Sequence, residues 1–146
     1  MVALDDEVIS AAENNDIPTL RDWLSRGGDP NQLDVLFGYG LLHHTFGPWP
    51  HMRNDNSEVA RLLVAHGADV NLLAREDAVT PLHLCAFPAE AGLLLDLGAN
   101  INAVDELGYT PLFNSTIVFK SDNQKAAIAF ARVLLRRGAD VFAENK

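Results

Sequence analysis

The chain has 146 residues, of which 48% are hydrophobic and 21% charged, and its formal net charge is −9. This length suits one ordinary domain, and the composition is typical of a globular protein and excludes a disordered one. The single cysteine, Cys85, excludes an internal disulfide and a cysteine-based metal site, and the acidity argues against nucleic acid or an anionic membrane as a partner.

The first predicted unit is a pair of helices that ends at a glycine. Three acidic residues, Asp5 to Glu7, favour a helix start there, because a helix N-terminus carries partial positive charge. The second helix leads into Leu24-Ser-Arg-Gly27-Gly-Asp29-Pro-Asn31, where Gly27 can supply the left-handed backbone conformation that ends a helix.

The second unit contains a long loop between its helices. Its first helix begins at Gly40-Leu-Leu-His43, and its second ends at Val64-Ala-His-Gly67-Ala-Asp69-Val-Asn71. Between them, residues 46–55 include Trp49 with a proline on either side, which indicates a loop. Trp49 is either a plug over the edge of the structure or a recognition residue, since tryptophan is frequent among residues that dominate binding energy.

The last two units repeat the same two motifs. Thr80-Pro-Leu-His83 indicates a helix start, because threonine is a good N-cap and proline is favoured at the first helical position. Phe87-Pro88 leaves room for only a clipped turn before the next helix, which runs into Leu95-Asp-Leu-Gly98-Ala-Asn100-Ile-Asn102. The fourth unit extends from Thr110-Pro-Leu-Phe113 to Leu135-Arg-Arg-Gly138-Ala-Asp140-Val-Phe142.

The alternation of the two motifs resembles the ankyrin repeat, whose signature is T-P-L-H-x-A at a period of about 33 residues. Successive helix-ending glycines lie 40, 31 and 40 residues apart, and the resemblance covers nearly the whole chain. It implies an all-α solenoid of four helix-turn-helix units with short hairpin-like loops and modified ends. The implied units are approximately 1–33, 34–73, 74–104 and 105–146, stacked because no unit alone can bury its apolar face.

Catalytic and metal-binding motifs are absent from the sequence. His43 and His83 occupy the histidine position of the repeat, where the resemblance implies a structural bridge between backbone groups. Cys85 occupies a small-residue position and is interpreted as buried. No nucleophile elbow, phosphate-binding glycine loop or zinc motif is present, so we expect no catalytic residue, no metal site and no cofactor.

The resemblance places a binding surface on the concave side of the stack, at the loop tips and the exposed side of the first helices. Seven residues are predicted to contact a partner: Tyr39, Trp49, Glu76, Asp77, Glu106, Leu107 and Tyr109. Leu36, Phe37 and Val79 lie on the same loops. For Phe37 and Leu107, packing between units is the alternative, whereas tyrosine offers rigid amphipathic contact area.

The resemblance implies a non-enzymatic protein-protein interaction module that binds and occludes, or scaffolds, a specific protein partner. Residues 1–109 carry 17 acidic and 5 basic side chains, whereas residues 110–146 carry 3 and 6. This asymmetry either serves solubility or attracts a partner with a basic surface.

Two other functions stay open. One is an immunity protein that neutralises a cognate, basic, nuclease-like toxin, and the other is an enzyme or metal protein with a site in the loop insertions. We expect a cytoplasmic protein that is monomeric alone and binds neither nucleic acid nor membranes. Its first residues lack the pattern of a signal peptide, and no apolar run is long enough to span a membrane.

Overall fold

The computed structural model describes residues 4–47, 55–118 and 124–143. Within them it contains helices and no β-strand, so the predicted all-α class is confirmed. The helices are α1 (Asp6–Glu13), α2 (Ile17–Ser25), α3 (Leu41–Phe46), α4 (Ser57–Ala65), α5 (Pro81–Leu84), α6 (Pro88–Asp96), α7 (Pro111–Val118) and α8 (Gln124–Arg136).

The helices form sequential pairs that stack. Each odd-numbered helix packs against the even-numbered helix that follows it, and α1, α3, α5 and α7 also pack in series. Among the second helices, α2 contacts α4 and α6 contacts α8. The core runs along this stack, with large fully buried side chains from every pair: Leu20, Phe46, Leu63, Leu82, Leu94, Phe130 and Leu134. No pair therefore completes a core alone.

The helix boundaries follow the local motifs. Helix α5 begins at Pro81 with Thr80 as its N-cap, as the sequence predicts. The shortening of the third unit falls on α5, which has 4 residues, whereas α6 keeps 9. Helix α6 begins directly at Pro88, because proline lacks the N–H that is unsatisfied in a first turn anyway. The four helix-ending glycines have φ between 91° and 103°, the left-handed conformation that was predicted for them.

In each of the first three units, one asparagine links the helix-ending turn to that of the next unit. The Asn31 Nδ2 donates to the Gly67 carbonyl at 2.9 Å, and the Asn31 Oδ1 accepts the Asp69 N–H at 2.7 Å. Asn71 makes the same two bonds one unit further on, at 3.1 and 2.6 Å. Asn102 accepts the corresponding N–H at 2.9 Å. These side chains fix the distance between neighbouring units.

The role of Trp49 and the boundaries of the four units are not tested by the described residues. The segment that carries Trp49 is outside the described residues, so the choice between plug and recognition residue stays a prediction. The four unit boundaries stay predictions as well. In the part of the chain that the structure describes, no helix is long and apolar enough to cross a membrane.

Ala78 has a backbone conformation that favours glycine. Its φ is 54°. The loops before α3 and α7 have a glycine at the corresponding position, Gly38 with a φ of 65° and Gly108 with a φ of 78°. The left-handed conformation costs a residue with a Cβ about 1–2 kcal/mol of folding free energy. Replacement by glycine would recover only part of this, because glycine has more conformational freedom in the unfolded chain.

We expect Ala78→Gly to raise the free energy of unfolding by about 0.5–1 kcal/mol in urea titrations. Ala129→Gly, inside α8, is the control and should lower it by about 1 kcal/mol. A loss of stability in Ala78→Gly would contradict the assignment of strain.

Candidate functional site

Three loops join the helix pairs, and we call them finger 1 (residues 33–39), finger 2 (73–79) and finger 3 (104–109). Each is closed by one backbone hydrogen bond across its base, between 2.8 and 3.0 Å long. The donor and acceptor residues are Asp34 and Tyr39, Ala74 and Val79, and Asp105 and Tyr109.

Neighbouring fingers are also bonded to each other. The Arg75 N–H donates to the Gly38 carbonyl at 3.1 Å, and the Glu106 N–H donates to the Asp77 carbonyl at 2.8 Å. The fingers therefore form one connected surface, which we call the finger face.

The motif histidines attach this surface to the helices. The His43 Nδ1 accepts the Gly40 N–H at 3.1 Å, and its Nε2 donates to the Val79 carbonyl at 2.9 Å. His83 makes the same bridge one unit further on, to the Tyr109 carbonyl at 2.9 Å. Burial lowers the pKa of both histidines, which favours the neutral ring that this bridge requires. The predicted structural role of His43 and His83 is confirmed.

Asp34 organises finger 1. Its Oδ1 accepts the backbone N–H groups of Leu36, Phe37 and Gly38 at 2.9, 2.7 and 3.1 Å. Its Oδ2 lies 2.7 Å from the Nε2 of His44. Burial alone would raise the pKa of Asp34, but the Phe37 N–H and the hydrogen bond and charge of His44 bring it below its ordinary value.

His44 lies between two carboxylates. Its side chain is buried, with Nε2 facing Asp34 and Nδ1 lying 3.3 Å from the Oε1 of Glu13 on α1. Each ring nitrogen of His44 therefore faces a carboxylate oxygen. Sequence reasoning missed this cluster, whose one signal is a second histidine where the third unit has Leu84.

Tyr39 and Asp77 connect fingers 1 and 2. The Tyr39 ring stacks on His43 with centroids 5.3 Å apart. Burial, the charges of Asp77 and Asp34, and a hydrogen bond with Asp77 raise the pKa of Tyr39. Both predicted binding residues are thus half-buried and also have a structural role.

The other predicted residues differ in exposure. Glu76 and Glu106 are exposed, and Leu107 is 65% exposed, so packing between units does not hold its side chain. The half-buried Tyr109 ring lies against Phe113, with centroids 4.6 Å apart. Val79 is buried. The finger face thus brings together the six predicted residues that lie in the described part of the chain, and their role in binding stays a prediction.

The finger face is more apolar than the sequence predicts. Leu36 is 77% exposed, and Phe37 is exposed next to it in the sequence. Further exposed side chains went unpredicted: Val35, Leu73, Arg75 and Val104 on the fingers, and Phe113 on α7. A run of three apolar residues between Asp34 and Gly38 is the signal that could have found the first of them. Arg75 adds a positive charge next to the acidic groups of finger 2.

The buried Cys85 and the half-buried Glu90 form a pair outside the fingers. The Cys85 Sγ donates to the Phe87 carbonyl at 3.5 Å and to the Glu90 Oε2 at 3.6 Å. Burial raises the pKa of the Cys85 thiol well above its ordinary value, as expected for an unreactive core residue. Among the described residues, no group of three or more histidine, cysteine or acidic side chains could hold a metal ion.

The comparisons with known proteins point to one family. A family model for the ankyrin repeat matches residues 39–75. Human ankyrin repeat and SOCS box protein 6 is 37% identical over 128 residues, which cover 84% of this chain and 28% of that protein. A putative ankyrin repeat protein of fowlpox virus is 26% identical over 161 residues, which cover 92% of this chain and 37% of the viral protein. The chain thus spans well under half the length of these relatives.

Replacing His44 tests this cluster. We expect His44→Leu to lower the free energy of unfolding by about 3 kcal/mol, because it removes the hydrogen-bond partner of two carboxylates, one of them the buried Asp34. Leucine fits this position in the third unit, so size alone does not explain a loss. Adding Glu13→Gln to His44→Leu should recover part of the stability in urea titrations. Unchanged stability in His44→Leu would show that the cluster contributes nothing.

Glu90 is expected to make the free energy of unfolding fall as the pH rises. Burial, the largest effect, raises its pKa from 4.5 to about 7, so the fold favours the protonated form. Its contribution is complete below about pH 4.5 and is lost as the pH rises through about 7. We expect the wild type to lose about 1–2 kcal/mol of unfolding free energy across this window, a value reduced by partial exposure of the carboxyl group.

The matched variants are Glu90→Gln and Glu58→Gln, the latter at an exposed carboxylate on α4. Glu90→Gln should flatten the pH dependence of urea unfolding, whereas Glu58→Gln should keep it. An identical slope in Glu90→Gln and the wild type would rule out Glu90 as its source.

Proposed function

Because this chain belongs to the ankyrin-repeat family, we propose that it binds a protein partner on the finger face and occludes or scaffolds that partner. Ankyrin repeats are protein-protein interaction modules and are generally non-enzymatic. The observation that carries the proposal is a set of large apolar side chains exposed on three loops that are bonded to one another.

Exposed apolar surface of this kind favours binding. Large contiguous apolar patches are rare on monomeric proteins and mark interaction sites. Leu36 and Phe37 lie on finger 1 and Leu107 lies on finger 3, where the Tyr109 ring also contacts the Phe113 ring of α7. Such side chains can enter pockets of a partner and supply most of the binding energy.

The rigidity of the fingers adds to this. Each finger is closed by its own backbone bond and bonded to its neighbour, so little conformational entropy remains to be lost on binding. The half-buried Tyr39 and Asp77 hold fingers 1 and 2 together and present only their exposed edges. We therefore assign the main apolar contacts to the tips and a supporting role to these two residues.

The negative charge of the fingers indicates the kind of partner surface that would fit them. Glu76, Asp77 and Glu106 outnumber Arg75 on the fingers, so the face favours a partner whose contact surface is apolar with basic groups around it. Attraction of this kind raises the association rate and makes it dependent on salt. Neutralisation of a basic toxin would use the same face and differs only in what the partner does.

Two double variants test the proposal. The partner is captured from the host with the full chain, identified and purified, and its affinity is then measured by titration. Leu36→Asp with Leu107→Asp should weaken binding by about 100-fold or more, because both tips are expected to be central contacts. Glu76→Lys with Glu106→Lys should slow association and remove its salt dependence.

Glu58→Lys on the exposed side of α4 is the control and should bind like the wild type. Wild-type affinity in both double variants, with unchanged melting temperatures, would place the binding site elsewhere. A captured nuclease that the chain inhibits would select the toxin-neutralising alternative.

A further inference from the structure

Helix α8 has a second amphipathic side that nothing in the described part of the chain covers. Phe130 and Leu134 are buried on the side by which α8 packs on α6 and α7. Ile128, Arg132 and Leu135 are exposed and follow one another at spacings of four and three residues, so they share the opposite side. Here the outer surface of α8 carries two large aliphatic side chains.

The corresponding positions of earlier units are buried or packed against the core. Val64 and Leu95 lie three residues before their helix-ending glycines and pack against the core, whereas Leu135 at the same place is 47% exposed. Val70 lies three residues after its glycine and is buried, whereas the corresponding Val141 is 58% exposed. This surface therefore has the residue types of a buried contact.

The polar links between units are replaced here by aromatic residues. Phe142, which is 85% exposed, stands where the earlier units have their bridging asparagines. Phe113 stands where His43 and His83 bond to the next finger. A phenylalanine side chain can neither donate nor accept those hydrogen bonds, so a further unit of the same kind could not be attached in the same way.

The charged residues on this side of α8 itself are basic, and one acidic residue, Asp140, lies in the turn beyond it, where its Oδ1 accepts the Phe142 N–H at 2.9 Å. Lys125, Arg132 and Arg136 are exposed on the same side of α8 and have no ion-pair partner among the described residues, whereas Arg137 pairs with Asp96 at 2.7 Å. Their spacing places the three cations in a row beside Ile128 and Leu135.

We propose that this surface binds an amphipathic helix of a partner protein, with aliphatic residues along one stripe and carboxylates beside it. We call the surface the α8 face, formed by Lys125, Ile128, Arg132, Leu135, Arg136, Val141 and Phe142. Two helices pack along a straight stripe of this kind by interlocking their side chains, and α8, with 13 residues, is about 20 Å long. A second copy docked symmetrically would bring like charges together, which disfavours it.

Two fluorescent helical probes test the proposal on the full chain by anisotropy titration. Both have about 18 residues with leucines at helical spacing, and one carries glutamates beside the leucines where its twin carries lysines. We expect the acidic probe to bind at least about tenfold more tightly than the basic one. Arg132→Glu with Arg136→Glu should reverse this preference.

A third double variant separates the α8 face from the finger face. Leu135→Glu with Phe142→Ser should weaken binding of the acidic probe by about tenfold or more. Leu36→Asp with Leu107→Asp should leave probe binding unchanged, so a failure here is distinct from a failure of the proposed function. These positions are exposed, and melting temperatures confirm that each variant is folded.

Three outcomes would overturn the proposal. The first is that the two probes bind equally tightly. The second is that the acidic probe still binds the Leu135→Glu, Phe142→Ser variant as it binds the wild type. The third is that neither probe binds and that the chain instead associates with itself, an association that Leu135→Glu with Phe142→Ser abolishes. The last outcome, measured by sedimentation, would assign the α8 face to a second copy of the chain.

Discussion

Two backbone carbonyls connect the helices of this protein to its exposed loops. The Val79 carbonyl accepts the Ala74 N–H that closes finger 2 and also the Nε2 of His43 from the preceding unit. The Tyr109 carbonyl does the same for finger 3 and His83. Since a carbonyl oxygen has two lone pairs, each satisfies both bonds at once. Helix start, finger closure and the position of the next finger therefore depend on one another.

The three fingers are not all held in the same way within this common frame. In fingers 1 and 3 an aspartate carboxylate, Asp34 or Asp105, accepts backbone N–H groups of the finger, and Asp34 also contacts His44. Finger 2 has Ala74 at that place and the strained Ala78. Finger 2 relies instead on its neighbour, through the Arg75 N–H and the Asp77 carboxylate. Finger 1, which is held by the hydrogen bonds of Asp34, also has the most apolar tip. A tip that is already fixed loses little conformational entropy when it binds a partner.

Features set by local chemistry could be predicted from the sequence, and features set by distant contacts could not. Thr80 begins a helix and Gly67 ends one because of their own backbone preferences. The His44 cluster depends on Glu13, which lies 31 residues away in the chain. The exposure of Leu73 and of Arg75 depends on the bonds between fingers, and loops have no periodicity that indicates which way a side chain points.

The finger face and the α8 face have opposite charge, and they belong to different elements of one stiff stack. The fingers precede α3, α5 and α7, whereas the α8 face lies on the outer side of the last pair and beyond. Coupling between two binding sites requires an element with two alternative arrangements, and hydrogen bonds such as those of Asn71 and His83 restrict relative movement of neighbouring units. The two faces therefore suit a chain that holds two partners side by side, each with its own affinity.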